Sequence, residues 1–502
     1  MASSAVSTAT TLATASTAAV ATTGPASKFT GGDIRVGLDG EPPTLDPAGN
    51  SLSLANGSVY SAVFETLMTV PVGGTVQPML LESMTEAPDR LSWTLVVRAG
   101  VTFQDGMPFD AAAVKFNLDR QQASPYNGPS INLITNTDVV DPKTVKVTLK
   151  QPWTGFPAAL STVVGVMASP ASLSDSTKAA RNPVGTGPFQ FVEWVSGDHV
   201  TVKKYDKYWG AQGALVDSII FKIVPDETAR YTALKAGDLD AVATTTVTTS
   251  KQAAVDGYPV ISAPPSGYGL LLLNTTKAPL DDVRVRQALN IGWDRDAIAK
   301  AFNGDDTAHA GFGPYPPTNK WYVAPTTVPS YDAAKAKALI KAYGKSVTIK
   351  LLITSGNQTT IDSLNSMAQN WNDEGMKVTV EQVPDLTTYV TTVISGNYQM
   401  AGWINGLSVD PDGSYFNQFH TGGSGNYEHY SNPALDALLD QGRTSTDEAQ
   451  RMDLYGQAQQ ILRNDVPVIV TSHGKIDIIV GKRVTMDPDY FFPSRTVHLT
   501  GS

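Results

Sequence analysis

Asp410 and Asp412 stand two apart in the stretch "GWINGLSVDPDGSYF", residues 402–416. Such a pair can hold a cation, run acid–base chemistry, grip an amine or shape a loop. As third and fifth ligands of a calcium loop they would have Gly413 in sixth place. The twelfth place would then fall on Phe419 instead of a bidentate Glu, which rules calcium out. A glycosidase pair survives the spacing test alone, but nothing else in the sequence favours it. The six histidines, at 199, 309, 420, 429, 473 and 498, show no metal-ligand spacing. His420 and His429 could meet across a loop, although surface polar residues are the plainer reading. "GGSGN" (422–426) lacks the closing Gly of a nucleophile elbow. "GKS" (344–346) lacks the upstream Gly of a phosphate loop, since Leu339 holds that place. "GTGPFQ" (185–190) lacks the third Gly of a dinucleotide fingerprint. There is no cysteine, which excludes disulfides, thiol nucleophiles, zinc–thiolate sites and iron–sulfur clusters. The expectation is therefore no cofactor, no metal and no catalytic residue.

The elements that must carry these residues alternate between strand and helix. "VTIKLLIT" (347–354) is β-branched and apolar. "TIDSLNSMAQNWNDEG" follows, with Ile361, Leu364, Met367 and Trp371 on one helical face and Gly375 as the stop. "KVTVEQV" (377–383) is the next strand, so the three form a βαβ unit with parallel pairing. Helices should start at Asp226, ending near Gly237, and at Asn432 with Pro433 in the first turn. Ser445 and Glu448 are spaced as a capping box. "SWTLVVRAGVTFQDG" and "DPKTVKVTLK" read as hairpin-like strands.

The chain has 502 residues, enough for roughly two to four folding units. It is 41% hydrophobic and 17% charged, so it can bury a core. A net charge of −10 argues against nucleic acid and anionic membrane surfaces, which attract basic patches. No apolar run approaches the roughly 18 residues that span a bilayer. The first 27 residues contain 21 Ala, Ser or Thr and no charge, so they lack the basic region and apolar core of a signal peptide. Residues 1–32 read as a disordered tether. Whether Met1 stands in place of a lipid-bearing Cys is left open by the sequence.

Several stretches resemble the family 5 extracellular solute-binding proteins of ABC importers. The likeness begins at "DIRVGLDGEPPTLDP" (33–47) and continues in "VYSAVFETLM" (59–68). It is most specific in "LSWTLVVRAGVTFQDGMPFDAAAVKFNLDR" (91–120), an Arg-x-Gly-Val-x-Phe-x-Asp-Gly hairpin leading into a helix. It continues through "NPVGTGPFQFVEWVSGDHVTVKKYDKYWG" (182–210) and "LDDVRVRQALNIGWDRDAIAKAFNG" (280–304). The resemblance implies an α/β, two-lobed periplasmic-binding-protein (Venus-flytrap) fold with an extra inserted subdomain in lobe I. Lobe I would use 33–58, 184–262 and 475–502, with the insertion at 59–183; lobe II would be 263–474. Ligand would close the lobes by a hinge motion.

Most motif residues read as scaffold: Gly185 and Gly187 as turn glycines, Arg98, Asp105 and Gly106 as hairpin residues, Trp194 and Trp209 as core. Ligand candidates come from strand ends and small-residue loops. They are Ser51, Ser53 and Asn56 after the first strand, Tyr268 and Gly269 at the start of lobe II, and Trp403 and Asn405 at a strand end. In the peptide-binding branch, the strand-end Trp is followed by an Asp that grips the ligand's α-ammonium, three residues before an acidic-Pro pair. Here that pair is Asp410-Pro411, and Leu407, flanked by Gly406 and Ser408, holds the clamp's place. Asp410 and Asp412 therefore read as loop-shaping first, with Gly413 supplying a positive φ and Asp412 as the fallback clamp. The resemblance implies a receptor for a peptide or modified peptide-like solute, partnered by permease subunits and not by nucleic acid. It implies a monomer, extracytoplasmic, tethered through its N-terminal linker as a lipoprotein or periplasmic. An opine-like or oligosaccharide solute, a sensor role, and a hydrolase on a two-lobed scaffold are the alternatives.

Overall fold

Apolar runs of strand length complete their hydrogen bonds only beside other strands. In the computed structural model of the chain they do so within two compact units. The structure describes residues 11–12, 31–49, 54–71, 74–211, 213–262, 267–303, 313–324, 330–355, 358–474, 476–486 and 498–499. One unit comprises Met1–Thr245, Thr249–Pro264 and Ile476–Ser502; the other comprises Thr246–Thr248 and Pro265–Lys475. The tether read at 1–32 lies outside the described residues, apart from Gly31, Gly32 and Thr11–Leu12, which pair antiparallel with Thr85 and Met84.

The first unit holds a seven-stranded mixed sheet. Its order is Phe189–Val195, His199–Lys204, Ser218–Ile223, Asp33–Leu38, Ala241–Thr244, Asp477–Val480 and Val260–Ser262. Asp33–Leu38 runs parallel to both of its neighbours, and the outer strands are antiparallel. A second, antiparallel sheet contains Leu81–Glu86, Ser92–Val97, Thr144–Leu149 and Ile134–Asp141. Helix Ala111–Ala123 packs on it, capped by Asp110, whose carboxylate accepts from Ala113 N at 2.9 Å. Each sheet has its own apolar cluster, around Ile34, Val59 and Phe221 in the first and around Leu95, Phe103 and Val147 in the second.

Three of the motifs meet in this unit. Gln104, in the hairpin, accepts from Gly185 N at 2.9 Å, and its amide nitrogen reaches Val63 O, Gly187 O and Phe189 O. Glu65 is 4% exposed and accepts from Thr186 Oγ1, Tyr208 Oη and Trp209 Nε1 at 2.9, 2.6 and 2.6 Å. Three donors on one buried carboxylate tie the Gly-Thr-Gly turn to the Tyr-Trp-Gly segment. Gly185 and Gly187 were expected to serve turns; their need is close approach. A Cβ would lie 2.1 Å from Val63 O at Gly185 and 2.6 Å from Ala62 O at Gly187. Arg98 donates to Met79 O and Leu81 O, and Gly106 has φ +84°, so the hairpin residues are scaffold.

The second unit is built on a five-stranded sheet, ordered Lys377–Val383, Thr348–Thr354, Met400–Gly406, Gly267–Leu273 and Val468–Gly474. Thr348–Thr354 and Lys377–Val383 are parallel and joined by helix Gln358–Asp373, the βαβ unit read from the sequence. Its stripe of Ile361, Leu364, Met367 and Trp371 is buried, and the Trp371 indole donates to Leu289 O at 2.9 Å. Truncating a side chain like Trp371 costs about 3–5 kcal/mol. Asp226 and Gly237 bound one helix, and Asn432 with Pro433 starts another, as expected. The capping box does not form. Asp447 takes the N-cap, accepting from Gln450 N, and Ser445 closes the preceding helix.

Candidate functional site

Strand Met400–Gly406 is the third of five and carries the candidates of the second unit. Trp403 lies opposite Leu270, and Asn405 opposite Tyr268, in an antiparallel ladder. A strand alternates faces, so Trp403 and Asn405 share one. The Trp403 ring stacks on Tyr389, with centroids 6.1 Å apart and planes 24° apart. Tyr427 meets it edge-on at 5.4 Å. These contacts fix the indole and leave it half-buried, while the neighbouring Ile404 is 80% exposed. Tyr389 in turn donates its hydroxyl to Gly402 O.

A chain of side-chain hydrogen bonds runs inward from this face. Trp403 Nε1 donates to Asn405 Oδ1 at 3.0 Å. Asn405 Nδ2 donates to Tyr268 Oη at 3.4 Å, and Tyr268 Oη donates to Gln418 Oε1 at 2.6 Å. Asn405 is half-buried, whereas Tyr268 is 1% exposed. Tyr268 was expected to line the pocket; it is buried, with its hydroxyl against Asn405 Nδ2. Burial pushes its phenol above the ordinary range, so the hydroxyl keeps its proton. Gly269 is a packing residue, since a Cβ there would lie 2.7 Å from Ser472 Oγ and 3.1 Å from Thr471 Oγ1.

The two aspartates are consumed by arginines. Residues 411–419 form a helix where a turn was expected, with Asp410 as N-cap, Pro411 in the first turn and Gly413 without a positive φ. Gly413 admits the close approach of Ser408, whose Oγ would lie 2.4 Å from a Cβ. Asp410 accepts from Asp412 N and receives Arg451 through both terminal nitrogens, at 2.8 and 2.6 Å. Asp412 is 1% exposed and receives Arg443 Nε at 2.8 Å and Nη2 at 3.1 Å. Both carboxylates shape the structure. Asp412 cannot serve as the fallback clamp, because its charge is already answered inside the protein. Gly406, Leu407 and Ser408 supply no anion.

Asn56 is fully buried in helix Leu54–Val63 of the first unit, so it does not join Trp403 within one unit. Ser51 and Ser53 lie outside the described residues. Sequence reading missed Tyr389 and Tyr427, which reach Trp403 from a helix and a loop, and Gln418, which reaches Tyr268 from helix 411–419. It also missed Glu428, fully buried, with both carboxylate oxygens unpartnered among the described residues. Burial pushes that carboxyl well above the usual carboxylate range. Among the described residues no group of three or more His, Asp or Glu could hold a metal. His420 contacts Thr421 O and Asp440, while His429 sits against Gly396. No described helix is long and apolar enough to cross a membrane.

Comparison with known proteins now adds to this geometry. The family model of bacterial extracellular solute-binding proteins, family 5 Middle, matches residues 75–427. A glutathione-binding protein GsiB of Pectobacterium atrosepticum is 30% identical over 491 residues, covering 91% of this chain and 92% of the relative. The periplasmic binding protein DppA from Helicobacter pylori, solved with the peptide STSA, superposes with a TM-score of 0.83 at 23% identity, covering 94% of this chain and 99% of its own. AgaA from A. tumefacien R10, solved with agropinic acid, gives a TM-score of 0.81 at 25% identity, covering 94% and 99%. The architecture is that of the two-lobed periplasmic binding proteins, and the chain belongs to the bacterial extracellular solute-binding proteins of family 5.

Proposed function

We propose that this chain captures a short peptide or modified peptide-like solute and delivers it to the permease subunits of an ABC importer. The observation that carries the solute class is the strand end at Trp403–Ser408: a fixed, half-buried indole beside a neutral amide, with the following Asp410 and Asp412 both held by arginines. An indole supplies flat contact area with little entropy lost on binding. Among the described residues of that strand end, a plain α-ammonium finds no anionic side chain. A peptide with a blocked or unusual amino end, or one held by main-chain bonds, fits better. The naming of relatives as glutathione-binding supports a small peptide. The protein acts as a binding module and not as an enzyme. We read it as a monomer working outside the cytoplasm, tethered through 1–32 as a lipoprotein or free in a periplasm, with 59–183 as an inserted subdomain. The separate sheet and apolar cluster between Leu81 and Leu149 support that insertion.

An opine-like solute is the second reading, favoured by the same uncharged strand end and by the likeness to AgaA. Native mass spectrometry on protein purified from its own host separates the readings. A co-purified intact mass of a small peptide is expected. An intact sugar–amino acid conjugate would favour the second reading, and turnover of added peptide would overturn both.

A further inference from the structure

We propose that Asn405 is a specificity-determining residue that presents a hydrogen-bond donor, so that the ligand group meeting this strand end is an acceptor, a carbonyl or carboxylate oxygen. The inference rests on the peptide reading above and narrows it. It follows from accounting for each hydrogen. An indole N–H only donates. The atom of Asn405 lying 3.0 Å from Trp403 Nε1 must therefore be its oxygen, which fixes the orientation of the amide. Asn405 Nδ2 then carries two hydrogens. One is directed at Tyr268 Oη, 3.4 Å away. Tyr268 can accept it because its own hydrogen goes to Gln418 Oε1 at 2.6 Å. Reversing Tyr268 would leave that hydrogen facing a nitrogen donor. Reversing Asn405 would set two donors against each other at Trp403. The direction of the chain is thus self-consistent from Trp403 to Gln418.

Asn405 Nδ2 keeps a second hydrogen that no described residue accepts. The side chain is half-buried, between Ile404 and Gly406, which are both exposed. The strand end from Trp403 to Ser408 carries no charged side chain. Asp412 and Asp410 are held by Arg443 and Arg451, and Glu428 is fully buried. A donor at a neutral site rewards an acceptor and repels an ammonium, which brings only further donors. Tyr268 and Gln418 are positioning residues. They hold the amide in place, and both are almost fully buried, at 1% and 3% exposure.

The test is a ratio measured within one protein, so a general loss of fold cancels. Calorimetry compares glutathione with N-acetylglutathione, and tri-alanine with N-acetyl-tri-alanine; the ratio is read on whichever pair binds. Acetylation replaces an ammonium with a carbonyl acceptor. The unaltered protein is expected to bind the acetylated twin at least as tightly as the free amine. Asn405→Asp keeps the acceptor for Trp403 and replaces the donor with a carboxylate. It is expected to swing the ratio toward the free amine by about ten-fold or more. Asn405→Ser, which adds no charge, is expected to bring the twins closer without reversing them. Tyr268→Phe keeps the ring and removes the anchor, and is expected to weaken the preference. An unaltered protein that favours the free amine ten-fold, or an Asn405→Asp ratio equal to that of the unaltered protein, overturns the proposal. An unchanged ratio in Tyr268→Phe overturns the positioning role. If neither pair binds the unaltered protein, the peptide reading itself fails and takes this inference with it.

Discussion

Glu374 offers a sharp test of how burial sets charge in the second unit. It follows helix Gln358–Asp373 and is 4% exposed, and neither carboxylate oxygen has a partner among the described residues. Its Oε2 lies over Gly292, at the C-terminal end of helix Val283–Ile291; a Cβ on Gly292 would come within 2.2 Å. Helix C-termini carry partial negative charge, which also disfavours a carboxylate. Burial is the largest cause of the shift, with Lys337 opposing it and Asp373 and Asp332 adding to it; together they push the carboxyl up from 4.5 to about 7. The sign follows from which state binds the proton. Below pH 4.5 both states are protonated and there is no cost. Between 4.5 and about 7 the unfolded chain releases its proton while the folded chain keeps it, so stability falls as pH rises. Above about 7 the loss levels off, at roughly 3 kcal/mol from about 1.36 kcal/mol per pH unit. Glu374→Gln keeps the shape and removes the titration. Melting curves at pH 4 and pH 8 are expected to show near-equal Tm values at the lower pH. At the higher pH the variant should melt about 6–12 °C higher, given about 2–4 °C per kcal/mol for a unit of this size. Equal melting at pH 8, or an offset that does not change with pH, would refute the reasoning.

Two further substitutions separate binding from packing. Trp403→Ala is expected to weaken solute binding by about 1–4 kcal/mol with the fold retained; calorimetry paired with a melting curve checks it, and a lower Tm with unchanged affinity would mark the indole as core. Asp412→Asn leaves Arg443 buried without its counter-charge and is expected to destabilise the second unit by about 3–5 kcal/mol. A denaturant titration reads this, and an affinity lost at unchanged stability would restore the amine-clamp role.

What the sequence disclosed were features whose cause is local. The helix stripe ending in Trp371 and the β-branched runs on either side of it needed no distant partner to be recognised. Asp226 and Asn432 cap because their acceptors sit beside the N–H groups they serve. Where two local answers compete, the sequence is silent. "STD" at 445–447 offers two caps, and the point where the preceding helix stops hands the role to Asp447. Asp-Pro-Asp-Gly suits a turn, yet Asp before Pro also opens a helix, and residues 411–419 take the second course. The glycines of the Gly-Thr-Gly motif were legible as glycines but not in purpose. Their reason lies more than 100 residues earlier, at the carbonyls of Ala62 and Val63. The arginines that occupy Asp412 and Asp410 stand 31 and 41 residues downstream. No spacing rule connects residues on separate helices to a strand end.

The short helix Pro411–Phe419 joins these observations. Its first turn is fixed by two arginine pairs, Arg451 on Asp410 and Arg443 on Asp412, and the Arg443 guanidinium also covers the Phe416 ring at 3.1 Å. Its last turn carries Gln418, whose oxygen holds Tyr268 and, through Tyr268, the amide of Asn405. The carboxylates that the sequence marks as loop-shaping, Asp412 among them as the fallback clamp, are thus spent on holding the helix that carries Gln418. Removing the anion from the strand end and fixing the amide are two consequences of one piece of architecture. If Asn405 meets the solute as proposed, discrimination follows from where a ligand can accept a hydrogen bond, because a misplaced or missing acceptor leaves a polar group unanswered.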